Sequence, residues 1–205
     1  MATDHEYGPC LAERFVPVIT GVGPVEAAIG TTRALGGMTD LPDLVVSIGS
    51  AGSRRLPLGS IWQVASVSWR DMDATRIGVP KGVTPFADHP AEMALATPID
   101  WPVARLSTGA NIVGGSDYDG IDADMVDMET FAVLRACGRF GVPVMGLRGI
   151  SDGPGELEAL GGWTAMLGLL DERLAEVVDR LGSTEEKEGR WFAQRRRGAE
   201  SFCSR

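Results

Sequence analysis

The nine residues VPVMGLRGI, 142–150, constrain the fold more than any other stretch. Apart from Arg148 they are apolar, glycine or proline, with no polar alternation. A run of this kind reads as a strand covered on both faces, and such strands belong to sheets layered between helices. DLVVSI, 43–48, is a second run of the same type, ended by GSAG, 49–52. Helical patterns separate the strand-like runs. PVEAAIGTTRAL, 24–35, places Pro24 at a first helical position. ETFAVLRACGRF, 129–140, sets Val133, Ala136, Cys137 and Phe140 at helical spacing, and Gly141 and Pro143 stop it. VPVIT (16–20), IWQVASVSW (61–69), ARLSTG (104–109) and ADMVDM (123–128) read as further strands, and 70–101 as loop. A last helix over 162–181 puts Trp163, Met166, Leu167, Leu170, Leu174, Val177, Val178 and Leu181 on one stripe. The expected fold is α/β: one domain over 1–182, with a mixed, mostly parallel central sheet flanked by helices. After Gly182 no period is usable, and 183–205 is expected to be a disordered tail.

With 205 residues, 44% of them hydrophobic, the chain can bury a full domain core. The net charge of −9 understates the acidity of the body, because the tail holds more Arg and Lys than Glu. An acidic body argues against a nucleic-acid backbone or an anionic membrane as partner. The RRR run at 195–197 is the only basic cluster, and its polar flanks read as tail. The three cysteines lack CxxC spacing, so no disulfide framework and no zinc site is suggested. No apolar run is long enough to span a bilayer, and MATDHEYGPC has no signal-peptide pattern, so the expected location is cytoplasmic.

In layered sheets ligands bind beyond the carboxyl ends of the strands. Here those ends carry glycines and acids: GVG after VPVIT, GSAG after LVVSI, Glu129 after MVDM, and Ser151–Asp152 after LRGI. GVGPVE, 21–26, is not a dinucleotide fingerprint, since Glu26 stands where the third glycine belongs. There is no phosphate-loop motif, and GSAG is not a nucleophile elbow. His5 and His89 are the only histidines, and they lack metal-ligand spacing. What remains is a carboxylate-centred site with glycine loops that let backbone approach a ligand. Each acid taken singly also has a plain reading. Asp152 could cap the turn ISDGPG, Glu129 could face a helix dipole, and Glu6 could be a solvated charge.

The order GVGPVEAA, VVSIGSAG, WRDMDAT, VDMETFA, GLRGISDG resembles the purine nucleoside phosphorylase/nucleosidase superfamily, most nearly its 5′-methylthioadenosine/S-adenosylhomocysteine nucleosidases. The likeness runs from about residue 2 to 181. Its specific pair is VDME at a strand-to-helix junction and RGISD at the end of the next strand. The resemblance implies hydrolysis of a purine nucleoside's N-glycosidic bond without metal or organic cofactor. It makes Asp152 the acid that protonates N7, supported by Ser151, and places Glu129 on the ribose hydroxyls with Met128 under the sugar. Glu6 becomes the base that activates water, with Ser50 and Gly52 lining the floor. Ile112 and Val113 would cover the base, and Trp163 the 5′ group. The physics fits: an oxocarbenium-like state needs negative charge near the sugar, and a purine leaves well only when protonated.

Departures from the family pattern are also legible. The family's first apolar strand, ahead of the Glu-bearing segment, is not found before ATDHEYG, and only about ten residues separate Glu6 from Val16. A phosphate-dependent phosphorylase stays open as an alternative, with Arg14, Arg54, Arg55 and Arg70 as the cations to consider. A non-catalytic nucleoside-binding relative stays open too. The resemblance further implies a homodimer, in which residues 70–88, with Thr84, Pro85 and Phe86, complete the partner's site.

Overall fold

The computed structural model describes residues 1–153, 155 and 163–185. The tail expected over 183–205 lies outside these residues from 186 onward.

After a 3-10 turn at Asp4–Glu6 come α1 (Pro9–Ala12) and α2 (Pro24–Gly36). Six strands follow: β1 (Val45–Gly52), β2 (Ile61–Trp69), β3 (Glu92–Ala94), β4 (Val103–Thr108), β5 (Met125–Asp127) and β6 (Val144–Asp152). Helix α3 (Thr130–Gly138) sits between β5 and β6, and α4 (Leu167–Glu185) closes the described chain. The sheet is mixed. β1–β6, β2–β4 and β4–β5 are parallel, and β1–β5, β2–β3 and β2–β6 are antiparallel. Because β2 also pairs with β6, the order β2-β4-β5-β1-β6 returns to β2 and rolls the sheet into a closed ring. The open stretch is along β1, which meets β5 only where Gly52 faces Val126.

β6 shows why its sequence is so apolar. It is buried from Val144 to Ser151, and its side chains alternate between two cores. Val144 and Ile150 join Val64, Leu106, Phe131 and Cys137 under α2 and α3. Met145 and Leu147 join Leu11, Ile48, Leu170 and Leu174 under α1 and α4. Leu147 has no exposed surface, and burying such a side chain stabilises the fold by roughly 1.5–3 kcal/mol.

Four expectations need correction. VPVIT is not a strand. It runs extended, and its backbone bonds reach only the first residues: Thr20 N–H to the Met1 carbonyl (3.0 Å) and Gly21 N–H to that of Ala2 (3.1 Å). Its β-branched composition favours extension, but no sheet edge lies against it, and Val16, Val18 and Ile19 stay exposed. β1 does not stop at the glycines of GSAG but runs to Gly52, because β6 keeps pairing with it. Residues 70–101, read as loop, carry the short strand β3, held on β2. The helix that closes the described chain begins at Leu167, and Trp163 and Thr164, which are also helical, are separated from it by a turn. Among the described residues, no helix is long and apolar enough to cross a membrane.

Candidate active site

The three acids lie at or against the ends of β1, β5 and β6, each in a different environment; Glu6 and Glu129 share a cavity whose lining does not include Asp152. Asp152 is the last residue of β6. Its Oδ1 accepts from the Ser151 hydroxyl at 2.5 Å, and its backbone carbonyl accepts from Ser53 N–H at 3.0 Å. Burial raises its pKa above the ordinary carboxylate value, and the Ser151 hydrogen bond opposes that only in part. Gly52 is required beside it, since a Cβ there would lie 2.6 Å from Asp152 Oδ2.

Glu129 occupies the N-cap position of α3, yet its side chain does not cap that helix. Its Oε1 accepts instead from Gly23 N–H at 2.8 Å. Gly23 has φ of 92°, a conformation that favours glycine, and this turns the N–H at the start of α2 toward the site. The GVG loop thus serves a carboxylate rather than a phosphate. Burial, then the charge of Asp127, push Glu129 up to about 7, against the pull of Gly23 N–H and Arg148.

Glu6 ends the first 3-10 turn and reaches β1. Its Oε1 accepts from both the backbone N–H and the hydroxyl of Ser50, each at 2.7 Å. Its Oε2 is buried and has no hydrogen-bond partner among the described residues. One oxygen is therefore held rigidly and the other is left for a ligand or water. The Ser50 hydroxyl, donating to Glu6, accepts from Trp163 Nε1 at 2.9 Å. That contact joins Trp163 to the site, a link the resemblance alone did not give. Glu6 and Glu129 line one cavity of about 970 Å³, with Gly49 and Arg148 on its floor and Val16 and Val18 on its wall.

Beneath the carboxylates lies a buried ion pair. Arg148 Nη2 is 3.0 Å from Asp127 Oδ2 and also donates to Ser47 Oγ (2.9 Å) and Thr130 Oγ1 (2.6 Å). Thr108 Oγ1 donates to Asp127 Oδ1 at 2.6 Å, and Thr130 N–H to Oδ2 at 2.9 Å. Such a pair is weak evidence for net stability, but removing one partner would leave a buried charge. It fixes the β5–α3 junction on which Glu129 stands.

Some expected residues are not gathered in. Ile112 is 68% exposed, whereas Val113 is buried in a small cluster with Tyr118 and Val126. Met128 is half-buried beside Glu129. Two site elements had escaped the sequence reading. Asp171 of α4, buried, accepts from Cys10 N–H (2.8 Å) and Leu11 N–H (3.0 Å), which fixes α1 and the turn carrying Glu6. Tyr118 comes to the same glycine as Asp152. Neither has a local signal, because each contact spans loops with no shared motif.

Arg14 lines the cavity but is paired with an acid, and Arg54 and Arg70 are engaged with other groups. Arg14 holds Asp179 (2.6 Å), Arg54 holds Asp119 (2.6 Å), and Arg55 lies 4.0 Å from Asp124. Arg70 donates to the carbonyls of Ser107 (2.6 Å), Asn111 (2.8 Å) and Asp127 (3.1 Å), locking the segment after β4. Among the described residues, no cluster of three or more His, Cys, Asp or Glu could hold a metal ion.

The class of protein is an α/β fold with a rolled mixed sheet that carries three separately held carboxylates at its strand ends. The sequence profile of the phosphorylase superfamily matches residues 8–182, and the chain belongs to that superfamily, within its 5′-methylthioadenosine/S-adenosylhomocysteine nucleosidases. It is therefore an enzyme of nucleoside hydrolysis, an N-glycosyl hydrolase. The nucleosidase of that name from Actinobacillus succinogenes is 32% identical over 91% of this chain and 90% of its own. That from Haemophilus influenzae is 31% identical over 79% and 80%. Among solved structures, the Helicobacter pylori nucleosidase with butyl-thio-DADMe-Immucillin-A superposes with a TM-score of 0.75 at 19% identity, covering 90% of this chain and 96% of that one. A futalosine hydrolase mutant of the same organism gives 0.73 at 20%, with the same coverage.

Proposed function

We propose that the enzyme hydrolyses 5′-methylthioadenosine, S-adenosylhomocysteine or both, releasing adenine and the free thioribose. The observation that supports this reading is the difference in environment of three carboxylates: Asp152 with its pKa raised by burial, Glu6 held through one oxygen only, and Glu129 buried against Gly23 N–H. Asp152, its pKa raised by burial, gives its proton to N7. The C1′–N9 bond then breaks with its electrons passing into the protonated base. Glu129 accepts from the ribose hydroxyls and places negative charge near the developing positive sugar. Water adds to C1′ while Glu6 Oε2 takes its proton, with Oε1 anchored on Ser50. Ser151 steadies Asp152. In this reading Met128 lies under the sugar, Ser50 and Gly52 form the floor, Ile112 and Val113 face the base, and Trp163 borders the 5′ group. No metal or organic cofactor enters any step.

The engagement of Arg14, Arg54, Arg55 and Arg70 with other groups favours water over phosphate as the nucleophile. The deciding experiment incubates the protein with 5′-methylthioadenosine, with and without phosphate. Adenine and free methylthioribose should form at a rate indifferent to phosphate. A sugar 1-phosphate formed only with phosphate would make the enzyme a phosphorylase. Glu6→Gln should lower turnover about 10²–10⁴-fold while the substrate still binds by calorimetry. Binding without turnover by the wild type would make it a binding-only relative.

Three finer readings belong here. The enzyme acts on free nucleosides in the cytoplasm, without nucleic acid or membrane. It works as a homodimer, and the support is Phe86: a fully exposed aromatic at φ of 63°, where a non-glycine residue is strained. Phe86→Asp should convert a dimer to a monomer by light scattering, and a monomeric wild type would remove the idea. The uncovered edge of β1 from Val45 to Ala51 is the place for the family's first strand. An apolar strand peptide that neither binds nor raises the melting temperature would count against it.

A further inference from the structure

Asp152 has two oxygens with different fates. Oδ1 is held by the Ser151 hydroxyl, so Oδ2 is the one left to serve the base. Oδ2 does not stand alone. A Cβ placed on Gly52 would lie 2.6 Å from Asp152 Oδ2 and 2.5 Å from Tyr118 Oη, so both oxygens converge over the bare face of this glycine. Tyr118 is 4% exposed, and its hydroxyl is buried with no hydrogen-bond partner among the described residues. A buried phenol without a partner is costly, and its retention calls for a ligand that satisfies it. Tyr118 comes from the 3-10 segment Gly115–Gly120 and packs on Val113, on the side of the site read above as facing the base.

A purine carries N7 and its 6-substituent on one edge. Adenine shows an acceptor beside an amino donor, and a 6-oxopurine shows two acceptors. A group next to the N7 acid is therefore placed to read position 6. We propose that Tyr118 is a base-reading residue: its Oη accepts from the 6-amino group of an adenine nucleoside and donates its own proton to Asp152 Oδ2. This rests on the hydrolytic reading above. The proton on Oδ2 moves to N7, the C1′–N9 electrons pass to the base, and Tyr118 keeps its proton throughout. As Oδ2 becomes negative the phenol bond to it strengthens, so the contact favours the transition state over the bound substrate. A 6-oxopurine would turn the phenol proton toward O6 and leave Oδ2 without that donor just as charge develops. Burial and neighbouring Asp152 push the phenol up to about 12, so it stays protonated at any working pH.

The test compares wild type and Tyr118→Phe on 5′-methylthioadenosine and its 6-oxo analogue, 5′-methylthioinosine. The wild type should prefer the amino substrate by about 100-fold or more in kcat/KM. Tyr118→Phe should lower kcat on the amino substrate about 10- to 100-fold with little change in KM, and should collapse that preference. Ile121→Ala, which loosens the same cluster without removing the hydroxyl, should lower the melting temperature and leave the preference intact. Equal hydrolysis of both substrates by the wild type would overturn the assignment without any variant. So would a Tyr118→Phe protein with unchanged kcat and unchanged preference. In either case adenine release would still uphold the hydrolase. Hydrolysis of neither substrate would overturn the function itself, and this inference with it.

Discussion

Asp152→Asn will fold as the wild type does and turn over about 10²–10⁴-fold more slowly, the range that general acid catalysis supplies. The fold should tolerate the change because Asn keeps the shape, and its Oδ1 still accepts from the Ser151 hydroxyl now held at 2.5 Å. The amide carries no charge, so it avoids the desolvation that raises the Asp152 pKa, and the melting temperature should hold or rise slightly near neutral pH. What is lost is the transferable proton. Two measurements separate this role from simple binding. The first is the leaving group: a riboside whose aglycone departs without protonation should be cleaved nearly as fast by the variant as by the wild type. The second is pH. The wild-type rate should fall as pH rises through the raised Asp152 pKa, because the protonated acid is the active form, and that limb should vanish in the variant. Wild-type kcat on a purine nucleoside in Asp152→Asn would remove Asp152 from the acid role. Loss of activity on both kinds of substrate would make it a binding residue instead.

The sequence showed most of what local pattern can show. The spacing of Val133, Ala136 and Cys137 marks a helix at α3, although Phe131, Ala132 and Leu134 are buried as well and Phe140 lies past its end, and the run after Pro143, apolar but for Arg148, marks β6. Asp127 at the end of β5 and Arg148 in the middle of β6 are charges inside apolar sequence, where a lone charge is costly, and they pair. VPVIT failed for the converse reason. Its residues prefer extended backbone, but a strand needs a neighbour, and propensity does not say whether an edge is present. The other omissions are contacts across long stretches of chain. Gly23 donates to a carboxylate 106 residues away, and Asp171 accepts from a backbone N–H 161 residues away. Asp171, between Leu170 and Leu174 in α4, belongs to no motif that marks it. A buried carboxylate in that place makes sense only once α1 is seen to present two N–H groups to it.

Glu129→Gln should trade activity for stability, with a dependence on pH that identifies the cause. In the folded protein the Glu129 carboxyl is raised from its ordinary value to about 7, first by burial and then by Asp127. A group raised in this way binds its proton more tightly in the folded state than in the unfolded one. Its contribution is fully present below its unfolded value and is lost as pH rises through about 7. Gln mimics the protonated form at every pH and can still accept from Gly23 N–H. The variant and wild type should therefore be equally stable near pH 4. The variant should gain steadily through neutrality and be ahead by on the order of 2 kcal/mol at pH 8. Over the same range it should lose about 10²–10³-fold in kcat/KM, since a neutral amide gives the positive sugar no counter-charge. Chemical denaturation of both proteins at pH 4.5, 6 and 8, beside activity at each pH, settles it. A stability difference that does not change with pH would mean that Glu129 is not held protonated by its surroundings. A variant that keeps its turnover would mean that the sugar's charge is balanced elsewhere. The cost of keeping Glu129 buried beside Asp127 is thus the same feature that makes it a strong partner for a cation, a cost that Gly23 N–H, Arg148 and the nearby Met1 ammonium offset only in part.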